Sequence, residues 1–127
     1  MGVKRNGQRV SRLGLVERDD SRQVLEESVR AGQKLKAIRK DRHMSVRQVE
    51  QASRRIAEAK GDKKFFISNG WLTQIENGAS EPSICKLFSL SAIYNVRITE
   101  LMRIYNVDAD ESDKYNAIAI PENCLPS

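Results

Sequence analysis

An all-α fold is what this sequence predicts, and three observations carry the prediction. Apolar residues recur at three-to-four spacing in several separate stretches, helix stop and start signals fall between those stretches, and strand signals are nearly absent. The only strand candidate, "FFISN" from Phe65, is too short to pair alone. With 127 residues, 39% apolar and 31% charged, the chain has room for one domain around one modest core.

The elements follow in order. Residues 1–18 carry several Gly and Asn and no sustained period, and read as a flexible basic arm. From Asp20 the pattern turns helical, with Val24, Leu25, Val29, Leu35 and Ile38 at helical spacing. Gly32 interrupts it at about 1 kcal/mol relative to Ala, so one long helix and two shorter ones both fit. "DRHMS" ends this stretch, and Ser45 is a good N-cap for "SVRQVEQASRRIAEAKG", in which Val46, Val49, Ala52, Ile56 and Ala57 share a face and Gly61 is a stop. Ser68 caps a third helix that Gly78 closes, because glycine takes positive φ without strain. A fourth starts at Pro82 or Ser83 and carries Ile84, Leu87, Phe88, Leu90 and Tyr94. Thr99 is the expected cap of a short fifth through Leu101, Met102 and Ile104. The domain thus spans 19–106, and 107–127 is expected to be an acidic disordered tail.

Charge is unevenly distributed. Residues 1–18 hold five Lys or Arg against Glu17, whereas residues 106–127 hold Lys114 against five acids. Between Lys34 and Lys64 lie eleven Lys or Arg and four acids. A basic block of this kind on folded elements favours a polyanionic partner, although charged helix faces are commonly just solvated. No apolar run approaches the ~18 residues of a membrane span, and the N-terminus lacks the apolar stretch of a secretory signal, so no membrane partner and a cytoplasmic address are expected.

Reactive chemistry is sparse. Cys85 and Cys124 fit neither a disulfide framework nor a metal-binding spacing. His43 is the single histidine, so no Ser/His/Asp or Cys/His constellation can be assembled, and no Gly-rich phosphate loop is present. The expectation is a non-enzyme with no cofactor and no metal.

"SNGWLTQIENG", Ser68 to Gly78, is the informative stretch. On a helix, Leu72 and Ile75 point into the core while Asn69, Gly70, Thr73 and Gln74 face outward, with Asn77 at the end. Asn and Gln donate and accept at once and so match the N6/N7 edge of adenine in a major groove. Ser68 and the open amides of the first turn suit a phosphate.

From Lys34 to Met102 the chain resembles the phage repressor and Cro-type (XRE) family of helix-turn-helix proteins. The residues that carry the resemblance are "LKAIRKDRHMSVRQVEQAS" and "ISNGWLTQIENGASEPSICKLFSLSAIYNVRITEL", with "QIENG", Gln74 to Gly78, an especially close match. The resemblance implies a compact five-helix repressor-like domain with an N-terminal helical extension and flexible tails. It further implies sequence-specific binding of double-stranded DNA, with the helix 68–77 in the major groove, by a transcriptional regulator. The implied DNA-binding residues are Ser68, Asn69, Gly70, Trp71, Thr73, Gln74 and Asn77, with Arg47 and Gln48 from the second helix. It also implies an internal ion pair between Arg39 and Glu76.

Two departures from the family pattern stand out. Val46 follows the second cap where the family often has Gln, which leaves Arg47 and Gln48 as substitutes. About a dozen extra residues precede Ile67, so a lengthened second helix followed by a loop is expected. Arg54, Arg55, Lys60, Lys63 and Lys64 there either reach a phosphate or keep an exposed helix soluble. Trp71 is either a core anchor or a contact to sugar or a thymine methyl. Ile84, Phe88 and Ile93 exceed what the core needs, which leaves open a homodimer that meets two half-sites ~34 Å apart, or a protein-interaction module that keeps the fold without specific DNA binding.

Overall fold

A computed structural model describes residues 17–121, with side chains from residue 26 onward; the basic arm up to residue 16 and the chain beyond 121, Cys124 included, lie outside the described residues. Every regular element among them is helical. The helices are α1 (Glu17–Asp41), α2 (Val46–Lys60), α3 (Asn69–Glu76), α4 (Ile84–Tyr94), α5 (Ile98–Ile104) and α6 (Asn116–Ala119), with 3-10 turns at Lys63–Phe65 and Ala109–Tyr115.

The first stretch is one uninterrupted helix of 25 residues, and Gly32 has a reason to lie inside it. Here α1 crosses the end of α3: a Cβ on Gly32 would collide with the Ile75 carbonyl oxygen and lie 2.6 Å from that of Glu76. The same crossing uses Gly78, whose φ of 83° ends α3 and whose missing Cβ would lie 2.6 Å from Val29 Cα. Two glycines thus let two backbones touch. His43 makes the turn after α1 with a φ of 58°, a conformation that costs a non-glycine residue about 1 kcal/mol or more.

The expected caps of α2, α3 and α4 are in place. Ser45 Oγ accepts from the Gln48 amide at 3.1 Å while Gln48 Oε1 accepts from the Ser45 amide at 2.8 Å, a reciprocal capping box. Ser68 and Ser83 cap α3 and α4 through the amides of Trp71 and Lys86. Gly61, at φ 67°, stops α2. The lengthened second helix therefore runs to Lys60, and the loop that follows is a short 3-10 turn. The cap expected at Thr99 is not used: α5 begins at Ile98 after Arg97, which makes no side-chain cap bond. The αL residue Asn95 (φ 56°) and the bond from Ser91 Oγ to the Val96 carbonyl at 2.6 Å end α4 abruptly, and α5 starts two residues earlier than expected.

Leu35, Val49, Ile67, Leu72, Ile75, Leu90, Tyr94 and Leu101 are almost wholly buried and, with Leu87, form one core drawn from α1 through α5. Each Leu or Ile fully withdrawn from water contributes about 1.5–3 kcal/mol. Ser53, on the apolar face of α2, is equally buried. Its hydroxyl accepts from the Ile67 amide at 2.8 Å and lies 2.8 Å from the Glu50 carbonyl, to which it donates. That bond seats the segment entering α3 on α2.

The acidic segment expected to be disordered from residue 107 is helical as far as 119. Asp108 caps the 3-10 turn through the Asp110 amide at 3.0 Å, and Arg103 lies 3.7 Å from Asp108 and 3.5 Å from Asp110. These acids gain local partners that hold the backbone in a turn.

Candidate nucleic-acid interface

α3 is short, and its two faces differ sharply. Leu72, Ile75 and Glu76 are buried, whereas Gly70, Thr73, Gln74 and Asn77 are exposed and Asn69 is half-buried. The outer face therefore carries amides and a hydroxyl with no charge. Thr73 Oγ1 donates to the Asn69 carbonyl at 3.0 Å. Gln74 makes only a marginal contact, from Ser80 Oγ at 3.5 Å, so its amide is available. Asn77 sits at the C-cap in helical backbone geometry.

What fixes this face is the buried pair beneath it. Arg39 Nε and Nη2 donate to Glu76 Oε2 and Oε1 at 2.7 and 2.9 Å, and Nη1 donates to the Met44 carbonyl at 2.9 Å. Both residues are less than a tenth exposed. The fork geometry ties the end of α3 to the end of α1 and to the turn before α2 at once. Hydrogen bonding to Glu76 raises the Arg39 pKa against the opposing effect of burial. Tyr94, buried beside the pair, has its phenol pKa raised by desolvation first and by the Glu76 charge second.

The first turn of α3 differs from the expectation. Glu50 Oε2 accepts from the Asn69 amide at 3.0 Å, and Ser68 Oγ accepts from that of Trp71 at 3.1 Å. A carboxylate of the protein itself occupies the positive end of the helix, where a phosphate was expected. Of the first-turn amides only that of Gly70 stays open, so the phosphate seat is corrected to a self-capped terminus. Glu50 was missed because it reaches the Asn69 amide only once α2 and α3 pack together in the fold, which spacing does not reveal.

The remaining predicted residues fall into two groups. Arg47 is exposed on the first turn of α2. Gln48 is exposed too, but its carbonyl oxygen is committed to the capping box and only its NH2 group is free. Trp71 is half-buried against the core, and Lys86 Nζ stands 4.8 Å from its ring centroid while donating to the Phe66 carbonyl at 2.9 Å. Trp71 is thus a packed residue with a cation over its ring, and it stands apart from the open face made by Gly70, Thr73, Gln74 and Asn77.

Among the described residues no group of three His, Cys, Asp or Glu is placed to hold a metal ion, and no helix is long and apolar enough to cross a membrane. Comparison with protein-family models, curated proteins and solved structures gave no match. The resemblance to the phage repressor family accordingly stands on the residues quoted for it.

Proposed function

We propose that this protein is a sequence-specific double-stranded DNA-binding regulator that lays the outer face of α3 in the major groove. The observation that carries the reading is the character of that face: an uncharged row of Gly70, Thr73, Gln74 and Asn77 on a helix locked from behind by the Arg39–Glu76 fork. Amide and hydroxyl groups held on a rigid element suit direct readout of base edges, with Gln74 the best placed to pair with adenine. The basic residues between Lys34 and Lys64 supply the attraction to phosphate that brings a duplex to the helix.

A salt titration tests this. If about six phosphates are neutralised, log K falls with log[salt] at a slope of about −5. Affinity independent of salt, or no binding to any duplex at low salt, refutes the proposal.

One observation favours a second reading, a non-catalytic protein-interaction module or a homodimer face. Ile84 and Phe88, one turn apart on α4, are 61% and 43% exposed. Concentration-dependent association abolished by Phe88→Glu, in a protein that binds no duplex, would select it.

A further inference from the structure

We infer that the C-terminal half of α2 and the segment joining it to α3 form a second, backbone-gripping contact to the same duplex, made by Arg54, Lys63 and Lys64; this rests on the DNA-binding reading above. The sequence leaves these cations between phosphate binding and solubility, and three features of the structure favour the first. The segment is built rather than loose. Gly61 and the Asp62 cap on the Lys64 amide at 2.9 Å shape its start, and its end is held by the Ser53–Ile67 bond and by Ser89 Oγ donating to the Phe65 carbonyl at 2.6 Å. A backbone already held in place loses less entropy when the cations it carries meet a phosphate.

Its charges are also uncommitted. Arg54, Arg55, Lys63 and Lys64 are exposed, and none takes part in an ion pair among the described residues. The Arg54 guanidinium lies 4.8 Å from the Phe66 ring centroid. Stacking on a ring fixes a guanidinium plane yet leaves its N–H edge open for bidentate phosphate contact. Between Arg54 and Lys63 lies an open cleft of about 390 Å³ that Phe66, Glu58 and Asp62 also line.

Finally, the segment is joined directly to the reading helix. Lys86 bonds the Phe66 carbonyl and stands over Trp71, which belongs to the first turn of α3. The segment also leads within five residues of Lys64 into the first turn of α3, so a base-pair readout made there would gain a sequence-independent grip beside it.

The test compares three proteins on one preferred duplex: the parent, Lys63→Ala/Lys64→Ala, and the charge-matched Arg97→Ala/Lys114→Ala. Melting curves first establish that the first pair folds, as its exposed side chains carry no bond. Loss of two phosphate contacts lowers the salt slope by about 2, so that affinity falls about tenfold less between ~50 and ~200 mM salt. The ratio of preferred to scrambled duplex should stay unchanged, and hydroxyl-radical protection should vanish only at flanking phosphates. An unchanged slope and footprint, with Gln74→Ala still costing specificity, overturns this inference and leaves the DNA-binding reading intact. An equal loss in the Arg97/Lys114 variant reduces the effect to net charge and overturns it too, as does a loss confined to single-stranded DNA. A parent that binds no duplex overturns both.

Discussion

Replacing Glu76 by Ala removes a carboxylate that two guanidinium nitrogens grip at 2.7 and 2.9 Å from a site where Arg39 is only 8% exposed. The cation is left with one bond, to the Met44 carbonyl, and cannot reach water without moving the end of α1. Breaking a buried pair from one side costs about 3–5 kcal/mol, because the remaining charge has lost its partner. For a domain of about 100 residues, in which 1 kcal/mol shifts Tm by at least about 4 °C, the melting temperature should fall by no less than about 12 °C. Glu76→Gln keeps one oxygen acceptor for the guanidinium and turns an NH2 toward the other nitrogen, so it should lose the equivalent of one charge-assisted bond, about 1.5–3 kcal/mol. Thermal melting followed by circular dichroism reads both variants. Site-specific DNA binding should fail with stability in Glu76→Ala, since the angle at which α3 leaves the core depends on the pair. Superimposable melts of Glu76→Ala and the parent would refute the reasoning, because they would place Arg39 in solvent.

Other substitutions probe separate contacts. Gly32→Ala gains about 1 kcal/mol of helix propensity but drives a methyl into the carbonyls of Ile75 and Glu76, at a cost of up to about 3 kcal/mol, and denaturant unfolding should show a net loss of up to about 2 kcal/mol. Ser53→Ala leaves the Ile67 amide buried without its acceptor, at a cost of about 1–3 kcal/mol, and an unchanged midpoint would contradict the bond. Among the described residues the buried Tyr105 hydroxyl has no partner, so Tyr105→Phe should be neutral or stabilising at neutral pH. Burial pushes the Tyr105 phenol up from 10.0 to about 12. The unfolded chain then releases this proton first, so the group leaves stability unchanged below pH 10 and lowers it progressively as pH rises from 10 through 12. Denaturant midpoints across that window should fall less in Tyr105→Phe than in the parent.

Most of the helical layout was legible because its signals are local. Serine caps at 45, 68 and 83 and glycine stops at 61 and 78 act within one turn of the residues they terminate. Gly32 left one long helix and two shorter ones both open for the complementary reason: its local meaning is a weak helix, and its actual use is a helix crossing with residues more than forty positions away. The outward face of α3 could be read from periodicity alone, as Leu72 and Ile75 determine which side is buried. The state of its N-terminus could not, because the acceptor is Glu50, nineteen residues upstream, and only the tertiary meeting of α2 and α3 brings it there. Order in the acidic segment was hidden for a like reason, since composition registers the repulsion among Asp108, Asp110 and Glu111 but not the approach of Arg103 to two of them.

Gln74 is the side chain that decides whether α3 reads bases. After selection of a preferred duplex from a random pool, parent and Gln74→Ala are titrated against that duplex and a scrambled one at fixed salt. The prediction is a loss of ~1–3 kcal/mol on the preferred duplex, with affinity for the scrambled one nearly unchanged. A uniform loss on both duplexes, or a parent that selects no sequence from the pool, would contradict the claim that this face carries sequence recognition.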